Sequence, residues 1–202
     1  MTNQASQYLK LVAIMLFVTV LTQIIYVALL ADVGIVEGWP LRSTIWAIES
    51  VAFSVLAVLA LASLAADDRY RLVWAAIAVS GVLNAIQAGM GLSMFLPPSQ
   101  AGASGKLLFD TVLVGAFLFF FLAKVLIGLA SVVLGVALFR SYGNNIGKIL
   151  GALAVVSGVA AAAMNTVALP LGLALVFPAG AAGTAATLTL AFCTWLVSVT
   201  KR

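Results

Sequence analysis

Polar positions are rare and unevenly spaced along this chain. Apolar runs of about twenty residues or more alternate with short clusters of proline, glycine and charge. About 20 apolar residues suffice for a helix to cross a bilayer. The pattern predicts six such spans, at 11–30, 44–65, 72–94, 107–139, 149–169 and 181–199. The intervening breaks fall at 34–40, 67–71, 96–105, 140–148 and 170–178, each carrying Pro, Gly or charge as chain punctuation does. The expected fold class is therefore an all-α integral membrane protein, a six-helix bundle forming one polytopic domain over 1–202. The first apolar stretch is too long for a signal peptide and no A-x-A site follows it, so it reads as a retained helix.

The fourth span is too long for the membrane. At 1.5 Å per residue, 107–139 extends about 50 Å against a hydrocarbon core of about 30 Å. A break near Gly115, with a short outer helix before it, is the simplest expectation.

Charge placement tests the count. With six spans, Lys10, Arg69, Arg71, Arg140, Lys148, Lys201 and Arg202 share one side, and only Arg42 and Lys106 face the other. Splitting the fourth span at Lys124 removes most of that bias, so six spans fit better than seven. The positive-inside rule then places both termini in the cytoplasm. The formal net charge of +4 is accounted for by topology, and no nucleic-acid partner is needed.

Composition sharpens the class: 64% of the 202 residues are hydrophobic and 8% charged. A soluble domain carries about 25% charged residues. There is no histidine, which excludes His-ligated haem, chlorophyll and zinc and any Ser-His-Asp chemistry. A single cysteine, Cys193, allows no intrachain disulfide and reads as a small core residue. No Walker, Rossmann or HExxH motif is present, and no internal repeat points to an inverted-repeat transporter. The expected surroundings are the lipid bilayer with bound lipid, and a membrane-protein partner or a second copy of the chain.

Strongly polar residues inside spans are costly and mark function by default. Gln23 lies past the middle of the outward-running first helix, and Glu49 about one and a half turns in from outside on the second. Asn84 and Gln87 lie in the outer half of the third, and Lys124 in the middle to outer part of the fourth. Asn165, Thr184 and Thr187 lie near the outer ends of the last two. Ser80, Asn84, Gln87 and Gly91 share one face of the third helix. The inner halves hold only small groups such as Ser63, Ser131 and Ser157. The pattern suggests a polar cavity facing outward. The competing reading is hydrogen-bonded glue between helices, worth about 0.6 kcal/mol per bond.

Lys124 is the sharpest feature, since a mid-membrane lysine costs about 2.5 to 3.5 kcal/mol. It can snorkel, pair with an acid or lose its proton. Glu49, about 8–12 Å from the outer surface by helix rise, is the first-choice partner and Asp110 the alternative. A retinal Schiff base is remote, since microbial rhodopsins have seven helices with the lysine in the last. Gly147, Gly151, Gly158 and Ala162, with Gly128 and Gly135, form small-residue stripes for close packing. Trp39, Trp46, Trp74, Trp195, Tyr8 and Tyr70 read as an interfacial aromatic belt, and Phe117, Phe119, Phe120 and Phe121 as lipid contacts with some pocket lining.

One segment carries a family resemblance. A small-residue helix ends in Leu138-Phe139-Arg140-Ser141, and after a tight loop Ile146-Gly147-Lys148-Ile149-Leu150-Gly151 opens the next. This resembles an uncharacterised bacterial family of six-helix integral membrane proteins, a domain of unknown function, mainly over 126–201. The resemblance implies six helices in a bacterial inner membrane and no activity. Three functions are then open. They are a membrane protein binding or transporting a small molecule or ion, a non-catalytic accessory or scaffolding subunit of a larger complex, and an intramembrane acid–base enzyme using Glu49, Asp110 and Lys124.

Overall fold

A computed structural model describes residues 3–66, 68–141 and 145–200. The architecture is all-α. Its helices are α1 (Asn3–Leu30), α2 (Trp39–Ala66), α3 (Arg71–Met94), α4 (Leu96–Gln100), α5 (Lys106–Ser141), α6 (Asn145–Leu171) and α7 (Val176–Val199). Short 3-10 turns, Asp68–Tyr70, Gly102–Gly105 and Gly172–Leu175, join several of them. Five helical segments are long and apolar enough to cross a membrane, and the last, at 145–199, comprises both α6 and α7.

The helices start earlier than the apolar runs. α2 begins at Trp39 and α7 at Val176, inside segments expected to be breaks. Both begin around a proline, Pro40 and Pro178. In the first turn a helix has no i−4 acceptor to lose, so proline is tolerated there. Gly172 marks a sharper break, because its φ of +62° is a left-handed conformation that ends α6 after Leu171.

α5 does not break at Gly115. It runs 36 residues without interruption, about 54 Å by helix rise. Keeping every backbone group bonded inside the helix outweighs the small helical cost of one glycine. The short helix lies instead in the preceding connection, as α4.

Helix contacts close a ring in the order α1, α2, α3, α5, α7 and back to α1, while α6 packs outside against α5 and α7. Neighbours in the ring are antiparallel except α5 and α7. Those two run parallel, since Phe120 lies beside Gly180 and Ser131 beside Thr189. Ser6 on α1 donates to the Ser198 carbonyl on α7, so the two ends of the described chain meet at one end of the bundle. That end is called the near end, and the opposite one, holding α4, the far end.

Glycines seat α6. A Cβ at Gly128 would lie 2.6 Å from the Gly158 carbonyl oxygen, and one at Gly158 2.6 Å from that of Gly128. Gly135 and Gly151 repeat the arrangement at 2.7 and 2.6 Å. The two backbones touch, as small-residue stripes permit. Beside them Ser131 donates to the Ala154 carbonyl, and Ser157 and Thr189 share a 2.8 Å hydrogen bond, tying α5, α6 and α7 together.

The core has two characters. Toward the near end it is aliphatic with one aromatic pair, built from Leu9, Leu16, Val73, Trp74, Leu134 and Leu190 among others. Toward the far end it is an aromatic layer in which Trp46 packs with Tyr26, Trp39 and Phe95, and Phe95 with Phe109. The aromatic belt is thereby corrected. Trp74 is fully buried, Trp46 is 5% exposed, and only Trp195 stands well out at 41%. Phe121 is also core rather than lipid contact. These rings go inside because the inter-helix space must be filled, and small residues such as Gly91, against Trp46, leave room for them.

Candidate functional site

Lys124 lies on α5 in the middle of the bundle and is 1% exposed. Glycine makes this possible. A Cβ at Gly183 on α7 would lie 2.7 Å from the Lys124 Cδ and 2.8 Å from its Cγ, so the lysine stem occupies the space a side chain there would need. The ammonium reaches α1 and α7. Its Nζ donates to Gln23 Oε1 at 3.0 Å and to Thr187 Oγ1 at 3.4 Å, and sits 5.3 Å from the Phe120 ring centre. Gln23 Oε1 also accepts from Thr184 at 2.9 Å. Thr187 gives its own proton to the Gly183 carbonyl at 2.7 Å, which leaves its oxygen free to accept from the lysine.

Glu49 is 5% exposed on α2. Its Oε1 accepts from Thr22 Oγ1 at 2.8 Å. Thr22 also lies 3.0 Å from the Thr19 carbonyl, so one hydroxyl proton serves two acceptors. Two consecutive residues of α1, Thr22 and Gln23, thus hold the two buried charges.

The expected ion pair does not form. Among the described residues the ion pairs seen are Arg71–Asp68 and Lys106–Asp110, both on the surface, and none joins Lys124 to Glu49 or Asp110. Neighbouring side chains of α1 take the two groups instead: Gln23 accepts from the lysine and Thr22 donates to the glutamate. Asp110 is held near the start of α5 by Lys106, so the acid–base trio of Glu49, Asp110 and Lys124 is not assembled.

The remaining expected site residues divide. Thr184 and Thr187 join the lysine. Asn84 is 2% exposed on α3, donates to the Ser80 carbonyl at 3.0 Å, and leaves its Oδ1 buried without a partner. Gln87, a turn away, is half-buried and makes no hydrogen bond among the described residues. Asn165 is fully buried on α6 and makes no hydrogen bond to the lysine among the described residues. Its amide donates to Ala161 and to the α7 carbonyl of Ala179. It acts as helix glue between α6 and α7.

Three participants escaped the sequence reading. Gly183 and Thr22 carry no distinguishing signal beyond lying beside Thr184 and Gln23. Arg42, expected as a loop charge, is only 4% exposed. It donates to Tyr26 Oη and to the Leu30 and Val33 carbonyls at the end of α1, and its guanidinium lies 5.2 Å from the Tyr26 ring centre. Arg42, Trp46 and Glu49 fall at i, i+4 and i+7, one face of α2, and that spacing was the available signal.

Trp46 separates this cluster from the far end. Beyond the aromatic layer lies an open cleft of about 480 Å³, lined by Glu37, Pro98, Ser99, Lys106 and Phe109 among others. Phe109 both lines the cleft and packs into the layer, so the layer is the cleft's floor.

Fold and site together define a class: an all-helical chain with spans fit for a membrane, enclosing Arg42, Glu49 and Lys124 on neutral hydrogen-bond partners. No protein-family model, curated protein or solved structure matches this chain.

Proposed function

We propose that this is a multi-pass protein of the bacterial inner membrane that binds or transports a small molecule or ion at the Lys124–Gln23–Thr187 and Glu49–Thr22 cluster. In this reading six helices cross the bilayer, α6 and α7 separately, and both termini are cytoplasmic. The alternating helix directions and the Ser6–Ser198 contact support that count. Arg69, Arg71, Arg140 and Lys148 at the near end support the orientation. The resemblance over 126–201 agrees with it.

One observation carries the functional part. Lys124 is buried at mid-bundle with no acid against it, and its proton acceptors are a side-chain amide and a hydroxyl. A lysine kept only for packing would be relieved by snorkelling or by an acid within reach. Here it does neither, and its partners are groups a ligand can displace. The layer around Trp46 closes the cluster toward the outside, so loading proceeds by its parting. The accessory-subunit reading draws less support from the glycine stripes, because they are used internally between α5 and α6.

The test is a thermal-shift screen of the purified protein in lipid nanodiscs against small inorganic ions, organic anions, amines and zwitterions. At least one class should raise the unfolding midpoint, and Lys124→Met should abolish that response while Ser157→Ala preserves it. A wild-type protein indifferent to every class, or a response that survives Lys124→Met, would overturn the proposal.

A further inference from the structure

Resting on that binding reading, we infer that the site takes a small zwitterion, whose carboxylate replaces Gln23 on Lys124 and whose ammonium is received by Glu49. Charge balance is the first argument. Lys124 and Glu49 are one buried cation and one buried anion, formally neutral together, while the third buried charge, Arg42, is spent on Tyr26 and the Leu30 and Val33 carbonyls. A ligand of net charge would add an uncompensated charge to a low-dielectric interior, which is costly. A zwitterion adds none, and it supplies each protein charge with the counter-charge the fold withholds.

Hydrogen-bond capacity is the second argument. Lys124 has three protons and spends them here on two neutral acceptors, one at 3.4 Å. Glu49 draws on a hydroxyl proton shared with the Thr19 carbonyl. Both are under-provided relative to charge-assisted hydrogen bonds, which are about twice as strong as neutral ones. A carboxylate and an ammonium improve both at once.

Placement is the third. Thr22 and Gln23 are consecutive on α1, so a ligand spanning both charges competes with one short segment of one helix. Asn84 adds an acceptor. It lies on α3 between Gly81 and Gly91, which pack on the same helix face against α2 on either side of Glu49. Its Oδ1 is buried and unpartnered, an acceptor with no proton in the absence of ligand. An ammonium has three protons to distribute, and Glu49 with Asn84 offers acceptors for them.

The experiment measures thermal shift and calorimetric binding on the full chain in nanodiscs. The probes are glycine, β-alanine and 4-aminobutyrate as zwitterions of increasing span, with acetate as anion and methylammonium as cation. At least one zwitterion should bind wild-type protein ten-fold or more tightly than acetate or methylammonium. Glu49→Gln should weaken the zwitterion and reverse the order in favour of acetate. Lys124→Gln should reverse it in favour of methylammonium. Asn84→Leu should weaken the zwitterion about five-fold without changing acetate binding. Should acetate bind wild type as well as any zwitterion, untouched by Glu49→Gln, the inference falls while the binding reading stands. Absence of any zwitterion binding in wild type also defeats it, and the wider screen then decides the binding reading separately. Should a variant fail to fold, the ranking of the five probes on wild-type protein decides alone.

Discussion

Two buried cations occupy this bundle, and they are held in different ways. Arg42 is 4% exposed and Lys124 1%, so burial alone does not distinguish them. Arg42 spends its protons on the carbonyls of Leu30 and Val33 and on Tyr26. Those carbonyls belong to the end of α1 and the turn after it, where the helix leaves acceptors unsatisfied and its dipole is negative. The charge there is neutralised by backbone that cannot leave. Lys124 sits mid-helix on α5, far from any helix end, and its acceptors are two side chains. Side chains change rotamer and a backbone end does not. The comparison teaches that a buried charge is architectural when backbone holds it and exchangeable when side chains do.

The hardest test of that contrast is Arg42→Ala. It removes charge-assisted hydrogen bonds worth about 1.5–3 kcal/mol each and leaves the Val33 carbonyl without its donor, while the Leu30 carbonyl keeps the Val33 N–H. The expected loss is about 3 kcal/mol, read by reversible unfolding in mixed micelles. A loss below that of Lys124→Met would erase the distinction. Next is Gly183→Ala. The added Cβ meets the Lys124 stem at 2.7 Å and must displace it. Overpacking of this kind costs about 1–3 kcal/mol, and the same variant should lose ligand response together with Lys124→Met. Gln23→Leu deprives Lys124 and Thr184 of their shared acceptor and should cost about 1 kcal/mol. Ser157→Ala breaks neutral bonds to Thr189 and, at 3.4 Å, to the Ala154 carbonyl, and should cost about 0.6 kcal/mol with ligand response intact. The smallest effect should come from Lys124→Met. Replacing a buried, unpaired charge by an apolar chain of similar length is about neutral for stability, yet ligand response should vanish. A large loss of stability there would make Lys124 architectural after all.

The expectations that succeeded and failed do so for identifiable reasons. Depth along a helix is arithmetic, and it put eight polar residues near one level without singling out the four, Lys124, Gln23, Thr184 and Thr187, that hydrogen-bond together. Which of the eight meet was not readable. The Lys124–Glu49 pairing failed because two side chains of α1, Gln23 and Thr22, take the lysine and the glutamate, and depth along a helix says nothing of such competitors. Asn165 has a comparable depth to Thr184 but lies on α6, the helix outside the ring, and its amide is spent on the Ala161 and Ala179 carbonyls. Arg42 was assigned to a loop because a proline two residues earlier looked like a stop. In the first turn of a helix that proline is no obstacle.

The chain's composition and periodicity by themselves determined that it is helical, that its helices suit a membrane, and which residues are too polar to sit there without reason. These are properties of single segments, set by local backbone bonding and by the free energy of each side chain in an apolar medium. Tertiary structure alone decided that α6 stands outside a five-helix ring, that Trp74 and Phe121 point inward, and that Gly183 makes room for the Lys124 stem. It also decided that the two buried charges are kept apart on neighbouring residues of α1. Each of these depends on which faces meet. Which faces meet is fixed by shape and register across many residues, and no single segment contains that information.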